Sequence, residues 1–123
     1  MKKINVGIIG RNFGYKVIYR ALKKIKDFNV LGFSVKKISN EFKSEKIKIY
    51  KSWKSLISDK QINSIFISSP PRTHKKIIKF AIKKNKNIFC DKPVTTSLKD
   101  ITDICKEIKK KKIINYVNYE FNR

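Results

Sequence analysis

Ile4-Asn5-Val6-Gly7-Ile8-Ile9-Gly10-Arg11-Asn12-Phe13-Gly14 is a short apolar run that breaks at a glycine turn. Ile4, Val6, Ile8 and Ile9 leave neither face of a strand polar, which is the pattern of a parallel sheet covered on both sides. The run therefore predicts a central strand. A glycine turn between such a strand and a helix leaves backbone N–H groups free at the helix start. There the helix dipole favours an anion, and a dinucleotide pyrophosphate fits. The turn departs from G-x-G-x-x-G, since only Gly10 is in register, with Asn12 at the second glycine position and Tyr15 at the third. Asn tolerates positive φ better than other side-chain-bearing residues, so Asn12 is expected to hold the turn while its side chain narrows the phosphate space. Gly14, one residue early, lets helix and strand approach closely. Read alone, the turn fits either a nucleotide site or a plain βα connection.

At 123 residues and 41% hydrophobic content, the chain makes one domain with a real core rather than two. No segment approaches the roughly 20 apolar residues of a membrane span. The first residues read as a strand with no signal-peptide cleavage pattern, which points to the cytoplasm. Cys90 and Cys105 are too far apart for a C-x-x-C motif and both sit in apolar patterns. Two buried, reduced thiols are expected, with no disulfide and no metal site. The net charge of +22 invites a nucleic-acid reading, because Lys and Arg neutralise phosphates and release counterions. Lys heavily outnumbers Arg, however, whereas bidentate recognition favours Arg. Lysines also spread over every predicted helix face, alongside abundant Ile and Asn, as A/T-rich codons would dictate. The charge reads as solvated surface, with non-specific sticking at low salt and no specific nucleic-acid partner.

Beyond the turn, Val17, Ile18, Ala21, Leu22 and Ile25 recur at helical spacing and predict an amphipathic helix to about Lys26. Residues 28–35 form a second strand, which completes a βαβ unit with a right-handed crossover. Where a dinucleotide site places an acid against the adenosine ribose, this chain has Ser34, Val35, Lys36 and Lys37. The lysine pair suits a 2′-phosphate, so the cofactor expectation, NAD or NADP, leans to NADP. Residues 47–50 predict a short third strand, and Ser52 caps a helix holding Trp53, Leu56 and Ile57. Trp53 reads as a packing residue rather than a stacking platform. A fourth strand at 62–69 ends at Pro70-Pro71. The following helix aligns Ile77, Ile78, Ala81 and Ile82 and stops near Asn85, which can adopt the left-handed conformation. A fifth strand spans 87–90. Ser97, with Asp100 three residues on, caps a helix whose expected buried face is Leu98, Ile101, Ile104, Cys105 and Ile108. A sixth strand spans 113–119. The whole is an α/β, doubly wound, mostly parallel sheet of about six strands with helices on both faces, one nucleotide-binding domain over 1–123.

Ile65-Phe66-Ile67-Ser68-Ser69-Pro70-Pro71-Arg72-Thr73-His74, a helix ending at Asn85, and Ile88-Phe89-Cys90-Asp91-Lys92-Pro93 together resemble the Gfo/Idh/MocA family of sugar oxidoreductases. That family reads as a strand, a Thr-Pro turn with a His four or five residues on, a helix, and a strand ending in Glu-Lys-Pro. Ser69 here replaces the Thr and Asp91 the Glu. The resemblance runs from Lys3 to about Asn122. It implies a Rossmann fold binding NAD or NADP through Gly10, Arg11, Asn12, Phe13 and Gly14, with Ser68, Ser69 and Pro70 along the ribose and nicotinamide. By the same resemblance Lys92 lies beside the nicotinamide and polarises the reacting hydroxyl. An ammonium there stabilises the alkoxide that develops as hydride leaves.

Asp91 is expected to pair with Lys92 or to accept backbone N–H bonds, and His74 to be either a packed structural histidine or a site residue. Asn118 and Tyr119 point, by resemblance, towards the substrate side. The family's second domain, which closes the sugar site and builds the oligomer interface, is not in this sequence. Little turnover is therefore expected from the chain alone, and a homo-oligomer or a separately supplied half is a possible partner. The alternative is a nucleotide-binding or regulatory module without chemistry.

Overall fold

The computed structural model describes residues 3–10, 12–35, 46–91 and 97–118, with the backbone alone at 12–15 and 115–118. In chain order the elements are β1 (Ile4–Gly10), α1 (Asn12–Lys23), β2 (Phe28–Ser34), β3 (Lys48–Ile49), α2 (Trp53–Ser58), β4 (Ser64–Ser68), α3 (His74–Lys83), β5 (Asn87–Asp91), α4 (Leu98–Lys111) and β6 (Asn115–Asn118). One turn of 3-10 helix, Pro71–Thr73, leads into α3. Every strand pair is parallel, and the order across the sheet is β3-β2-β1-β4-β5-β6. The chain thus builds outward from β1 to β3, then returns to add β4 on the other side of β1. Both neighbours of β1 are strands, as its apolar run requires, and the reversal between β1 and β4 opens a crevice at their carboxyl ends.

Alternation along β1 divides the core. Val6 and Ile8 face α1 and pack with Tyr19, Leu22 and Phe33. Ile9 faces the other way, into a larger cluster with Ile65, Ile67, Leu56, Ile57, Ile77 and Ile78 from β4, α2 and α3. Each such side chain, fully buried, stabilises the fold by about 1.5–3 kcal/mol. Gly7 lies on this second face. A Cβ there would stand 2.5 Å from Leu56 Cδ2 and 3.0 Å from Ile62 Cδ1, so the missing side chain lets α2 seat on the sheet.

The local signals act as their chemistry predicts. Ser52 and Ser55 form a reciprocal capping box at the start of α2. The Ser97 hydroxyl accepts from the Asp100 amide at 3.4 Å at the start of α4. Asn85 closes α3 at φ 58°. Lys112 does the same for α4 at φ 56°, a position no residue type advertised. Lys86 is buried, and its ammonium donates to the carbonyls of Ile62 and, at 2.9 Å, Asp59. It fastens the turn before β5 to the turn before β4, and burial lowers its pKa.

Two helix faces differ from their patterns. In α1, Tyr19 and Leu22 are buried and Ile18 is half-buried, whereas Val17 and Ala21 are exposed, as is Ile25 beyond the helix end at Lys23. The tyrosine ring, which a purely aliphatic pattern passes over, meets Phe33 edge-on with centroids 5.3 Å apart and sets the rotation of the helix. In α4 only Ile104 is buried and Ile108 half-buried. Leu98, Ile101 and Cys105 are exposed, so the expectation of two buried thiols holds for Cys90 alone. The reason is position: α4 lies at the flank of the helical layer against α3, and a sideways contact covers a narrow strip. Among the described residues, no helix is long and apolar enough to cross a membrane, and no three metal-ligating side chains cluster.

Candidate functional site

The carboxyl ends of β1, β4 and β5 are tied together side by side. Gly10 pairs in register with Ser68. A Cβ on Gly10 would lie 2.8 Å from the Ser68 carbonyl oxygen and 3.0 Å from Ser68 Cβ, so the close approach of backbone to backbone requires glycine here. Ser68 in turn donates its hydroxyl to Asp91 Oδ2 at 2.8 Å. Asp91 was expected to pair with Lys92 or backbone amides, and Lys92 lies outside the described residues; the neighbouring strand's serine is one partner of Asp91, and it holds the two strand ends in line.

Ser69 and Pro70 form the turn after β4, and side chains brace it from two sides. The Thr73 hydroxyl donates to the Pro70 carbonyl at 2.6 Å, so in its 2.7 Å contact with Ser69 Oγ it is the acceptor. Behind the turn, His74 Nε2 stands 2.7 Å from the Ser69 carbonyl oxygen. A carbonyl only accepts, which places the proton on Nε2. Nδ1 then faces Cys90 Sγ at 3.4 Å, and the same thiol lies 3.3 Å from the Asp91 carbonyl, so two acceptors share one S–H. Burial, and secondarily the Asp91 charge, pushes the Cys90 thiol up to about 12, which keeps it protonated at neutral pH. His74 is wholly buried. Expected from sequence to be either a packed structural histidine or a site residue, it stands one layer behind the cleft and holds the turn that faces it.

That cleft has a volume of about 390 Å³. Ile9 and Gly10 form its floor at the end of β1, Ser34 and Val35 its side at the end of β2, and Ser69 and Pro70 the opposite side. Lys51, Ser52 and Trp53 close it at the start of α2, and Arg72, Thr73, Lys76 and Ile77 at the start of α3. Trp53 packs edge-on against Phe80 at 5.6 Å, as its helical spacing predicted, and still lends its indole to the cleft wall. The packing and platform readings are therefore compatible.

Of the residues singled out by sequence, Gly10, Ser69 and Pro70 line the cleft, and Ser68 and Asp91 are joined at the strand ends beside it. Asn12 opens α1 in helical backbone, and positive φ occurs only at Asn85 and Lys112 among the described residues; the expected turn-holding conformation of Asn12 is not used. Gly14 lies within the first turn of that helix. Arg11, Lys36, Lys37, Lys92, Pro93 and Tyr119 lie outside the described residues, as do the side chains of Asn12, Phe13 and Asn118. Sequence reasoning passed over Lys51, Arg72 and Lys76 in the cleft wall. Their signal was positional: each stands shortly after the carboxyl end of a parallel strand, where ligand-contacting residues of such sheets collect.

An open parallel sheet of this strand order, with its cleft at the reversal point beyond the carboxyl ends, defines a Rossmann-type dinucleotide-binding domain. Residues 4–119 match the family model of the Gfo/Idh/MocA oxidoreductases, in its NAD-binding Rossmann fold. The chain belongs to that family. It is 31% identical over 126 residues to the uncharacterized oxidoreductase YrbE of Bacillus subtilis, an alignment covering 99% of this chain and 36% of YrbE. It is 27% identical over 124 residues to a myo-inositol 2-dehydrogenase of Thermotoga maritima, covering 98% of this chain and 36% of the relative. The fold is shared with biliverdin reductase from Synechocystis, solved with biliverdin and NADP+, at a TM-score of 0.84 and 17% identity, covering 94% of this chain and 37% of that one. The chain thus spans about a third of the length of the relatives it matches.

Proposed function

We infer that this chain is the cofactor-binding part of a nicotinamide-dependent oxidoreductase acting on a sugar or a related polyol. The observation that carries the reading is the cleft at the β1–β4 reversal, closed by Gly10 against Ser68 and braced by the Ser69-Pro70 turn. The residues present suit a dinucleotide: a glycine where the first strand ends, an apolar and aromatic wall, and cations with no acid among the described lining residues. When bound, the nicotinamide supplies or takes the hydride exchanged with a carbinol or ketone carbon.

The chain's own residues orient and polarise. Lys92 follows Asp91 directly at the carboxyl end of β5. In this reading its ammonium donates to the substrate oxygen, stabilises negative charge that develops there, and holds the proton that oxygen gains or loses. The Ser68–Asp91 bond fixes the end of β5, at the residue immediately before Lys92 in the chain. Lys36 and Lys37, following the end of β2, favour NADP over NAD. The polyol class comes from the myo-inositol 2-dehydrogenase among the relatives.

The test is titration of the purified chain with NADPH and NADH at physiological salt, followed by nicotinamide fluorescence and thermal shift. Saturable binding of either supports the reading, and a folded chain that binds neither contradicts it. For the chemistry, Lys92→Ala is compared with the parent in a protein carrying a second, substrate-closing domain. Unaltered activity removes Lys92 from the reaction. A second reading, a nucleotide-binding or regulatory module without chemistry, is favoured by Asn12 and Tyr15 at the second and third glycine positions. It predicts cofactor binding that Lys92→Ala leaves intact and no turnover in any context.

A further inference from the structure

Three cations meet at the cleft from two separate stretches of chain: Lys51 just before α2, Arg72 in the 3-10 turn, and Lys76 in the first turn of α3. None is ion-paired with a described acid, although lysines close by in sequence are: Lys48 stands 3.8 Å from Asp59 and Lys75 2.8 Å from Asp100. Three like charges around one concavity repel one another unless an anion enters. Among the described residues, no carboxylate lines the cleft. Its side at the end of β2 is Ser34 and Val35, where recognition of a free ribose diol calls for an acid.

We propose that Lys51, Arg72 and Lys76 bind the 2′-phosphate of an adenosine nucleotide and make the site selective for NADP. The proposal rests on the dinucleotide reading above and deepens it, from the class of cofactor to the phosphate that is read and the residues that read it. Arg72 presents a planar fork suited to a phosphate edge, and the two lysines supply point charges on either side. Trp53, Pro70 and Ile77 give the adenine ring an apolar surface. The three cations stand on the α2 and α3 side of the cleft, so they add to whatever preference the lysines that follow β2 supply.

Trp53 is the chain's one tryptophan and stands in the wall of this cleft, so its fluorescence reports occupancy there directly. The chain is titrated at physiological salt with adenosine 2′,5′-bisphosphate, adenosine 3′,5′-bisphosphate and 5′-AMP. The first two carry the same charge, which separates recognition from the general attraction of a protein of net charge +22. The expected result is at least tenfold tighter binding of the 2′,5′ isomer than of either other nucleotide. Arg72→Ala with Lys76→Ala should bring all three to within about twofold. Lys51→Ala alone should weaken only the 2′,5′ isomer, and Lys83→Ala with Lys109→Ala, which removes the same charge elsewhere, should leave the preference intact. Equal binding of the two bisphosphates, or a preference that survives the Arg72 and Lys76 changes, overturns this proposal while leaving dinucleotide binding in place. Failure of all three nucleotides to bind a folded chain overturns the dinucleotide reading as well.

Discussion

Replacing His74 isolates one brace of the site. The imidazole is wholly buried, donates from Nε2 to the Ser69 carbonyl at 2.7 Å, and meets Cys90 Sγ through Nδ1 at 3.4 Å. His74→Leu keeps most of the apolar volume and deletes both polar contacts. Loss of one hydrogen bond, with a carbonyl left short of its donor, costs about 1–2 kcal/mol. For a domain of this size each kcal/mol lowers Tm by roughly 3–5 °C, so a fall of roughly 3–10 °C is expected by calorimetry or circular dichroism. Because Ser69 and Pro70 form one side of the cleft, nucleotide binding should weaken several-fold in the same variant. His74→Gln, whose amide can donate along the same line, should recover part of both losses. A His74→Leu chain that melts within 1 °C of the parent and binds as tightly would refute the argument that this histidine holds the turn.

Gly10→Ala forces a Cβ to within 2.8 Å of the Ser68 carbonyl; overpacking of this kind costs about 1–3 kcal/mol, read as a lower Tm, together with loss of nucleotide binding. Tyr50→Phe removes the 2.5 Å hydrogen bond that, ahead of the Gln61 amide, holds the Asp59 carboxyl below its ordinary pKa. A depressed carboxylate pKa contributes stability above the unfolded value near 4 and loses it as pH falls through the folded value, so the parent's advantage of about 1–2 kcal/mol at pH 7 should shrink below about pH 4 in paired denaturation curves. Thiol labelling with a disulfide reagent should modify exposed Cys105 within minutes and leave Cys90 untouched until the chain unfolds; fast labelling of both would contradict the burial of Cys90.

Much of the fold was legible because its signals are local or periodic. The two-sided apolar run of β1, the Ser52 cap, the left-handed Asn85 and the strands on either side of α3 each follow from a property of a few neighbouring residues. What the sequence hid depends on distant neighbours. Tyr19 replaces part of the aliphatic stripe of α1 only because Phe33 stands opposite it, and the outer face of α4 stays exposed because that helix lies at the flank of its layer. The site divides in the same way. Gly10, Ser69 and Pro70 were readable from strand-end chemistry. The Ser68–Asp91 bond joins positions 23 residues apart, and the His74–Ser69 brace needs a particular rotation of α3. Lys51, Arg72 and Lys76 were invisible among 31 basic residues until the fold placed three of them around one cleft.

The central claim is that the cleft beyond β1, β2 and β4 holds a nicotinamide dinucleotide, and energy transfer from Trp53 to the reduced nicotinamide during titration with NADPH tests it most directly. The account predicts a saturable, one-to-one signal that a non-fluorescent oxidised cofactor competes away. A chain with an intact melting transition that shows no transfer, or transfer that rises linearly without saturation, would contradict it.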